Sequence, residues 1–281
     1  MLLGQSNAVG HATPMDPCDI IGDPLKNVFG LNRDQNQTFD NTELVFSGYT
    51  SHGMNLAETQ DNTYSVANCL ARRWQDAIDS GENLPDLYII QIAIGSQGVF
   101  GMWCPDRTKT IKPGVLGVCN VSMYPLTIHV LTLMKEYFLN NALSADYVGI
   151  HWRGGEQDIR REMSELEGRL KSDYLRIFDG IRKALGEEAP IVLHSFPFAS
   201  FMDKNDPSGG FMERMNYINS LFLELSSELP EVSIFDSRCC PFYDKSRADY
   251  GMLRQDLIHY TGAANDWVAS EILKEYINRN K

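Results

Sequence analysis

The sequence predicts an α/β fold in which a mainly parallel sheet is covered on both sides by helices. Two observations predict it. Short, nearly continuous apolar runs bounded by Pro or Gly mark strands buried on both faces. Between them lie longer segments whose apolar residues return at three- and four-residue spacing, the period of a helix with one face on a core. Strands alternating with such helices build parallel sheets, because a parallel pair needs a long crossover. A chain of 281 residues fits one large α/β domain, taken here as 1–281.

Each element can be argued in order. "MLL" is the tail of a first strand, and an unusually short one: either the missing half is not needed, or upstream residues of a longer chain are lost. The polar segment from Asn32 to Asn62 reads as surface loops with room for a short strand at "ELVF". "SVANCLARRWQDAI" from Ser65 is helical, and "LYIIQIAI" (Leu87 to Ile94), between Pro85 and Gly95, is the clearest strand. A helix from Pro125 ("PLTIHVLTLMKEYFL"), a strand "DYVGIHW" (Asp146 to Trp152) and a long helix from Ser164 follow. The strand "PIVLHSF" (Pro190 to Phe196), a helix from Phe211 and the strand "VSIFD" (Val232 to Asp236) come next. The last helix starts near Thr261 or Gly262 and runs through "AANDWVASEILKEYI". No internal repeat or low-complexity tract interrupts the pattern.

Composition removes several classes of function. Hydrophobic residues make up 43% and charged ones 22%, so a core is available. A formal net charge of -12 disfavours a groove that tracks nucleic-acid phosphates and gains nothing at an anionic membrane. No apolar stretch approaches the roughly 18 to 20 residues that span a bilayer. "MLLGQSNAVG" lacks the charged start and long apolar run of a secretory signal, and the compartment stays open. The six cysteines show no CxxC, so structural zinc is not expected and buried free thiols are the default. Cys104 and Cys119 flank a loop and would pair only in an oxidising compartment.

In open α/β sheets, sites lie beyond the carboxyl ends of strands, where loops lead into helices. Four segments stand there or just before the last helix: "GQSNAVG", "GSQGVFGMW", "RGGEQD" and "DLIHYTG". Together they hold the parts of serine-based ester hydrolysis: a hydroxyl, a base, a group that orients the base, and donors for the oxyanion. Ser6 lies in a glycine-flanked turn, which either exposes a nucleophile or merely bonds locally. Of the histidines, His129, His151 and His194 fall in helix or strand patterns and read as core. His11 and His52 suit a solvated or substrate-touching role. His259 follows Asp256 by three residues, so a turn would let that carboxylate accept a hydrogen bond from one ring nitrogen.

"GQSN" at Gly4 to Asn7, "IGSQG" after a central strand, "WRGGEQD" at Trp152 to Asp158 and "DLIHYTG" near the end together resemble the SGNH (GDSL-like) hydrolases. Within them the sialate O-acetylesterase and acetylxylan esterase group is the nearest in look. The resemblance spans nearly the whole chain in the right order. It implies a three-layer α/β/α sandwich with a flavodoxin-like central sheet, and a carbohydrate O-acetylesterase that uses no metal or organic cofactor. An O-acetylated carbohydrate would be the substrate, with no nucleic-acid partner and no membrane insertion.

By the resemblance Ser6 would be the nucleophile, His259 the general base and Asp256 the orienting carboxylate, with Glu156 the alternative acid, buttressing His259 or the first block in place of Asp256. The backbone N–H groups of Ser6 and Gly95 would bind the oxyanion. The family's third block resembles W-H-Q-G-E-S-D, and Gly154 stands here where its glutamine donor is expected. Gln157 or Arg153 would then supply a third donor, or a backbone N–H of Gly154 or Gly155 would. Glu156 and Asp158 also suit an ordinary helix start. Gln5 and Asn7 are expected near substrate, although holding the turn suits Asn7 better. Trp103 and Tyr260 are expected to stack on a sugar, a role that core packing explains equally well. The rival readings are a catalytically weakened carbohydrate-binding protein of the same fold, and a lipid esterase or thioesterase.

Overall fold

Leu2 and Leu3 show how the layers are built. They belong to β1 (Leu2–Gly4), and successive side chains of a strand point to opposite faces. Leu2 joins a buried cluster with Trp74, Val268 and Tyr276, whereas Leu3 joins one with Trp152, Ile177 and Phe222. Each face of the sheet therefore has its own core, and each fully buried Leu stabilises the fold by roughly 1.5–3 kcal/mol. The computed structural model describes residues 1–36, 41–58, 63–108, 111–112, 120–185, 189–197, 206, 209–243 and 251–280.

After β1 come α1 (Ser6–Val9), β2 (Val28–Leu31), β3 (Phe46–Gly48) and α2 (Val66–Asp79). Then follow β4 (Leu87–Ile89), β5 (Gln91–Ala93), α3 (Met123–Asn140) and β6 (Ile150–Arg153). The chain continues with α4 (Lys171–Leu185), β7 (Ile191–His194), α5 (Gly210–Glu228), β8 (Val232–Phe235) and α6 (Gly262–Arg279). The main sheet has the spatial order β5, β1, β6, β7, β8, with every pair parallel. Among these five strands the first in the chain lies between the second and third, the flavodoxin-like order, and the switch point falls between β1 and β6. Helices α2 and α6 pack together, as do α3 and α4. The three-layer sandwich expected from the sequence is the architecture found.

Local chemistry explains the helix starts. Ser65 accepts the Asn68 N–H at 3.3 Å and caps α2, and Thr261 accepts the Ala264 N–H at 3.2 Å and caps α6. Such caps contribute about 1 kcal/mol each. The helix expected from Ser164 is continuous, but a π turn over Leu166–Leu170 precedes α4.

Several expectations need correction. The strand read over Leu87 to Ile94 changes partners at Ile90: β4 pairs with β2 in a second sheet, ordered β3, β2, β4, while β5 pairs with β1. The strand expected over Asp146 to Trp152 is paired only from Ile150 and extends through Arg153. The described part of Asn32 to Asn62 is not a set of surface loops, because Leu44, Tyr49, Met54 and Leu56 are buried in the cores. Its strand is Phe46–Gly48, which shares only Phe46 with "ELVF". Cys69 and Cys240 are buried thiols, but Cys18 and Cys239 are exposed; Cys119, and with it the Cys104 pairing, lies outside the described residues. Among the described residues no helix is long and apolar enough to cross a membrane, and no three His, Cys, Asp or Glu side chains converge as metal ligands.

Candidate active site

The site forms at the switch point. Gly4 ends β1 with φ +139°, and a Cβ there would lie 2.0 Å from the Arg153 carbonyl on β6, so only glycine lets the two strands come this close. Gln5 donates its N–H to that carbonyl at 3.1 Å, and Ser6 opens α1 immediately afterwards. As the first residue of a helix, Ser6 has an N–H with no intrahelical acceptor. Its side chain makes no hydrogen bond among the described residues and stays slightly exposed.

Asn7 ties this turn to the loop before α6. Its Nδ2 donates to the Ile258 carbonyl at 3.1 Å and to Glu156 Oε1 at 2.9 Å, and its Oδ1 accepts the Tyr260 N–H at 3.3 Å. Between the two clamped residues stands His259. Its Nδ1 lies 2.8 Å from Asp256 Oδ2, and Asp256 Oδ1 accepts the Ile258 and His259 N–H groups, each at 3.0 Å. Burial works to raise the Asp256 carboxyl, but these donors outweigh it and hold the group below the usual carboxylate range. Leu257, at φ +63°, absorbs the tight turn. Nε2 of His259 has no hydrogen-bond partner among the described residues.

Of the two places expected for Glu156, it takes the one against the first block and not the one against His259. It bonds to Asn7 rather than to His259, Oε2 has no partner among the described residues, and burial pushes its carboxyl up to about 7. Asp158 accepts the Val99 and Phe100 N–H groups at 3.0 and 3.3 Å and so fixes the loop after β5; burial pushes it up to about 6.

The likeness to known proteins can be stated against this geometry. The fold is similar to that of NanS. Its crystal structure superposes with a TM-score of 0.62 and 14% sequence identity, covering 99% of this chain and 96% of that one. No family model and no curated protein matches the sequence.

Two groups that the sequence did not single out together stand beside Ser6 and His259. Glu58 Oε2 accepts the Gly95 N–H at 2.6 Å, and Glu58 Oε1 lies 2.5 Å from His11 Nε2. Buried Asn55 holds them in place by accepting the Ala93 N–H and donating to the Ala93 and Glu58 carbonyls, each bond 2.9 Å. The His11 ring covers Gly95 so closely that a Cβ there would lie 2.5 Å from Cε1, and its centroid is 6.1 Å from that of His259. The Gly95 N–H expected to face an oxyanion is therefore occupied by a carboxylate.

The remaining expectations sort by burial. Gln5, Asn7, Trp103 and Tyr260, named as substrate contacts, are exposed by only 2%, 2%, 0% and 3%, too little to bind a sugar face. They brace the site instead: Trp103 Nε1 donates to the Gly4 carbonyl at 3.2 Å, and Gln5 Oε1 accepts the Gln157 N–H at 3.4 Å. Arg153, named as a possible third donor, is buried beneath the turn. Its guanidinium bonds to the Asn7 carbonyl at 3.0 Å and to Asn265 Oδ1 at 3.2 Å, and stacks on Tyr260 at 4.7 Å. The Gln157 carboxamide has no partner among the described residues. His151 and His194 are core residues as expected, Nδ1 to Nε2 at 3.1 Å, and His52 is exposed.

Proposed function

We propose that the protein is a serine carboxylic-ester hydrolase that removes O-acetyl groups from a carbohydrate. One observation carries the reading: Ser6 and the Asp256–His259 pair are hung on the two sides of a single buried side chain, Asn7. Ser6 Oγ attacks the acetyl carbonyl carbon while His259 Nε2 takes its proton, and Asp256 holds Nδ1–H and the imidazolium that forms. The oxyanion binds the N–H groups of Ser6 and Gly95 once the Glu58 carboxylate has left Gly95, with Gln157 as the side chain available for a third bond. The bond from carbon to the sugar oxygen then breaks, and His259 returns the proton to that oxygen. Water, deprotonated by His259, then attacks the acyl carbon; the bond to Ser6 Oγ breaks, His259 returns the proton to that oxygen, and the acetyl group leaves as acetate. The carbohydrate acetyl ester rests on the resemblance of the four sequence blocks.

Acetate release from a panel of O-acetylated glycans, compared with a long-chain ester, tests both activity and substrate class. Ser6→Ala should abolish it with the fold intact, and a serine-directed phosphonate should label Ser6 alone. Labelling at another serine refutes the assignment. The occupied Gly95 N–H supports one alternative, a carbohydrate-binding protein with weakened catalysis, which predicts glycan binding without acetate release.

A further inference from the structure

The turn that carries Ser6 also brings a second imidazole to the site. Gly10 ends α1 at φ +90°, where a Cβ would meet the Ser65 nitrogen at 2.8 Å, and His11 follows it. The His11 N–H donates to the Ser6 carbonyl at 3.0 Å, and the His11 carbonyl accepts Thr13 Oγ1 at 3.2 Å. The backbone that holds the nucleophile therefore holds this ring as well.

The two imidazoles are set in opposite senses. A neutral imidazole donates from one nitrogen and accepts at the other, and a carboxylate, which only accepts, decides which. Asp256 takes the Nδ1–H of His259 and leaves Nε2 as the acceptor. Glu58 takes the Nε2–H of His11 at 2.5 Å and leaves Nδ1 as the acceptor. That Nδ1 makes no hydrogen bond among the described residues and is not sealed from water. The His11 side chain is 32% exposed, whereas that of Glu58 is only 9% exposed. Cε1 and Nδ1 are the ring atoms nearest to where a Cβ of Gly95 would stand, at 2.5 and 3.0 Å, and the His259 ring is 6.1 Å away. The open acceptor thus lies beside the oxyanion donor and across from the base.

Both oxygens of an ester only accept, so the ester group itself has nothing to offer this nitrogen. A donor has to come from the alcohol part of the substrate. We propose that His11 is a specificity-determining residue whose Nδ1 accepts a hydrogen bond from a free hydroxyl next to the ester, with Glu58 fixing the tautomer. The inference rests on the reading of Ser6 and His259 as an ester-hydrolysing pair. The oxyanion takes the Gly95 N–H from Glu58 Oε2 alone, and Oε1 stays on His11. A sugar acetate pairs Nδ1, whereas an ester of a simple alcohol leaves it unpaired as water is excluded.

The test measures acetate release from O-acetylated monosaccharides, each paired with the analogue in which hydrogen replaces the hydroxyl next to the ester. Wild type should show kcat/KM about tenfold higher for the hydroxylated member of at least one pair, the scale of one hydrogen bond. His11→Gln, whose amide reaches Glu58 but puts nothing at the Nδ1 position, should bring that ratio to within about twofold of one. His11→Asn, whose side-chain oxygen can stand where Nδ1 does, should keep most of it; thermal unfolding checks that both variants fold. The full ratio in His11→Gln, its loss in a folded His11→Asn, or a wild-type ratio near one in every pair overturns the inference and leaves the esterase reading standing. The wild-type ratios need no variant and decide the matter even if His11→Gln does not fold. Wild type that releases no acetate from any substrate refutes the esterase reading, and this inference with it.

Discussion

Replacing Glu156 with Gln should change how stability depends on pH while leaving the Asp256–His259 pair in place. In the folded protein Glu156 is held at about 7 by burial, against 4.5 for an ordinary glutamate. The folded state therefore binds this proton more tightly than the unfolded chain. The stabilisation is complete below about 4.5 and is lost as pH rises through about 7. At about 1.4 kcal/mol per pH unit, that interval amounts to roughly 3 kcal/mol. Glutamine is neutral throughout, and its carbonyl can still accept from Asn7, so the variant lacks this dependence. Asp158 titrates nearby in both proteins and largely cancels in the difference. Urea unfolding between about pH 4 and pH 8 should show wild type losing roughly 3 kcal/mol relative to Glu156→Gln. A difference that stays flat across this range refutes the burial argument. The variant should also keep most of its acetate release, because Glu156 does not touch His259.

Two further substitutions address the site. Asp256→Asn should lower turnover by about 10²-fold or more, since an amide no longer enforces the imidazole tautomer; near-normal turnover, with Glu156→Gln inactive, would transfer the orienting role to Glu156. Glu58→Ala should free the Gly95 N–H and raise kcat/KM, by about tenfold or more, because a charge-assisted hydrogen bond of about 1.5–3 kcal/mol no longer has to be displaced. A loss of about 10²-fold instead would make the His11–Glu58 pair part of the chemistry.

The layers of the fold were legible because buried parallel strands and one-faced helices carry strong periods. The Asp256–His259 contact was legible because a three-residue spacing can close a turn. Other features depended on partners far away in the chain. Nothing around Leu87 to Ile94 marks Ile90 as the residue where the strand changes sheets, since both halves are equally apolar. Asp146 to Val148 read as strand on composition, but among the described residues the strand begins only at Ile150. Glu58 lies 47 residues from His11, within a polar stretch that gives no hint of its burial. Trp103 and Tyr260 were ambiguous because an aromatic ring suits a core and a sugar equally well.

The Asn7 clamp also orders events in time. Its bonds to Ile258 and Tyr260 join residues 251 and 253 positions apart, so Ser6 is made long before His259, the base proposed for it. On the proposed mechanism, a nascent chain that has reached Ser6 but not His259 cannot hydrolyse esters. Contacts of such separation also carry a large loop-closure entropy and form late. Appearance of esterase activity would therefore report completion of the whole fold, lagging behind the recovery of helical signal during refolding.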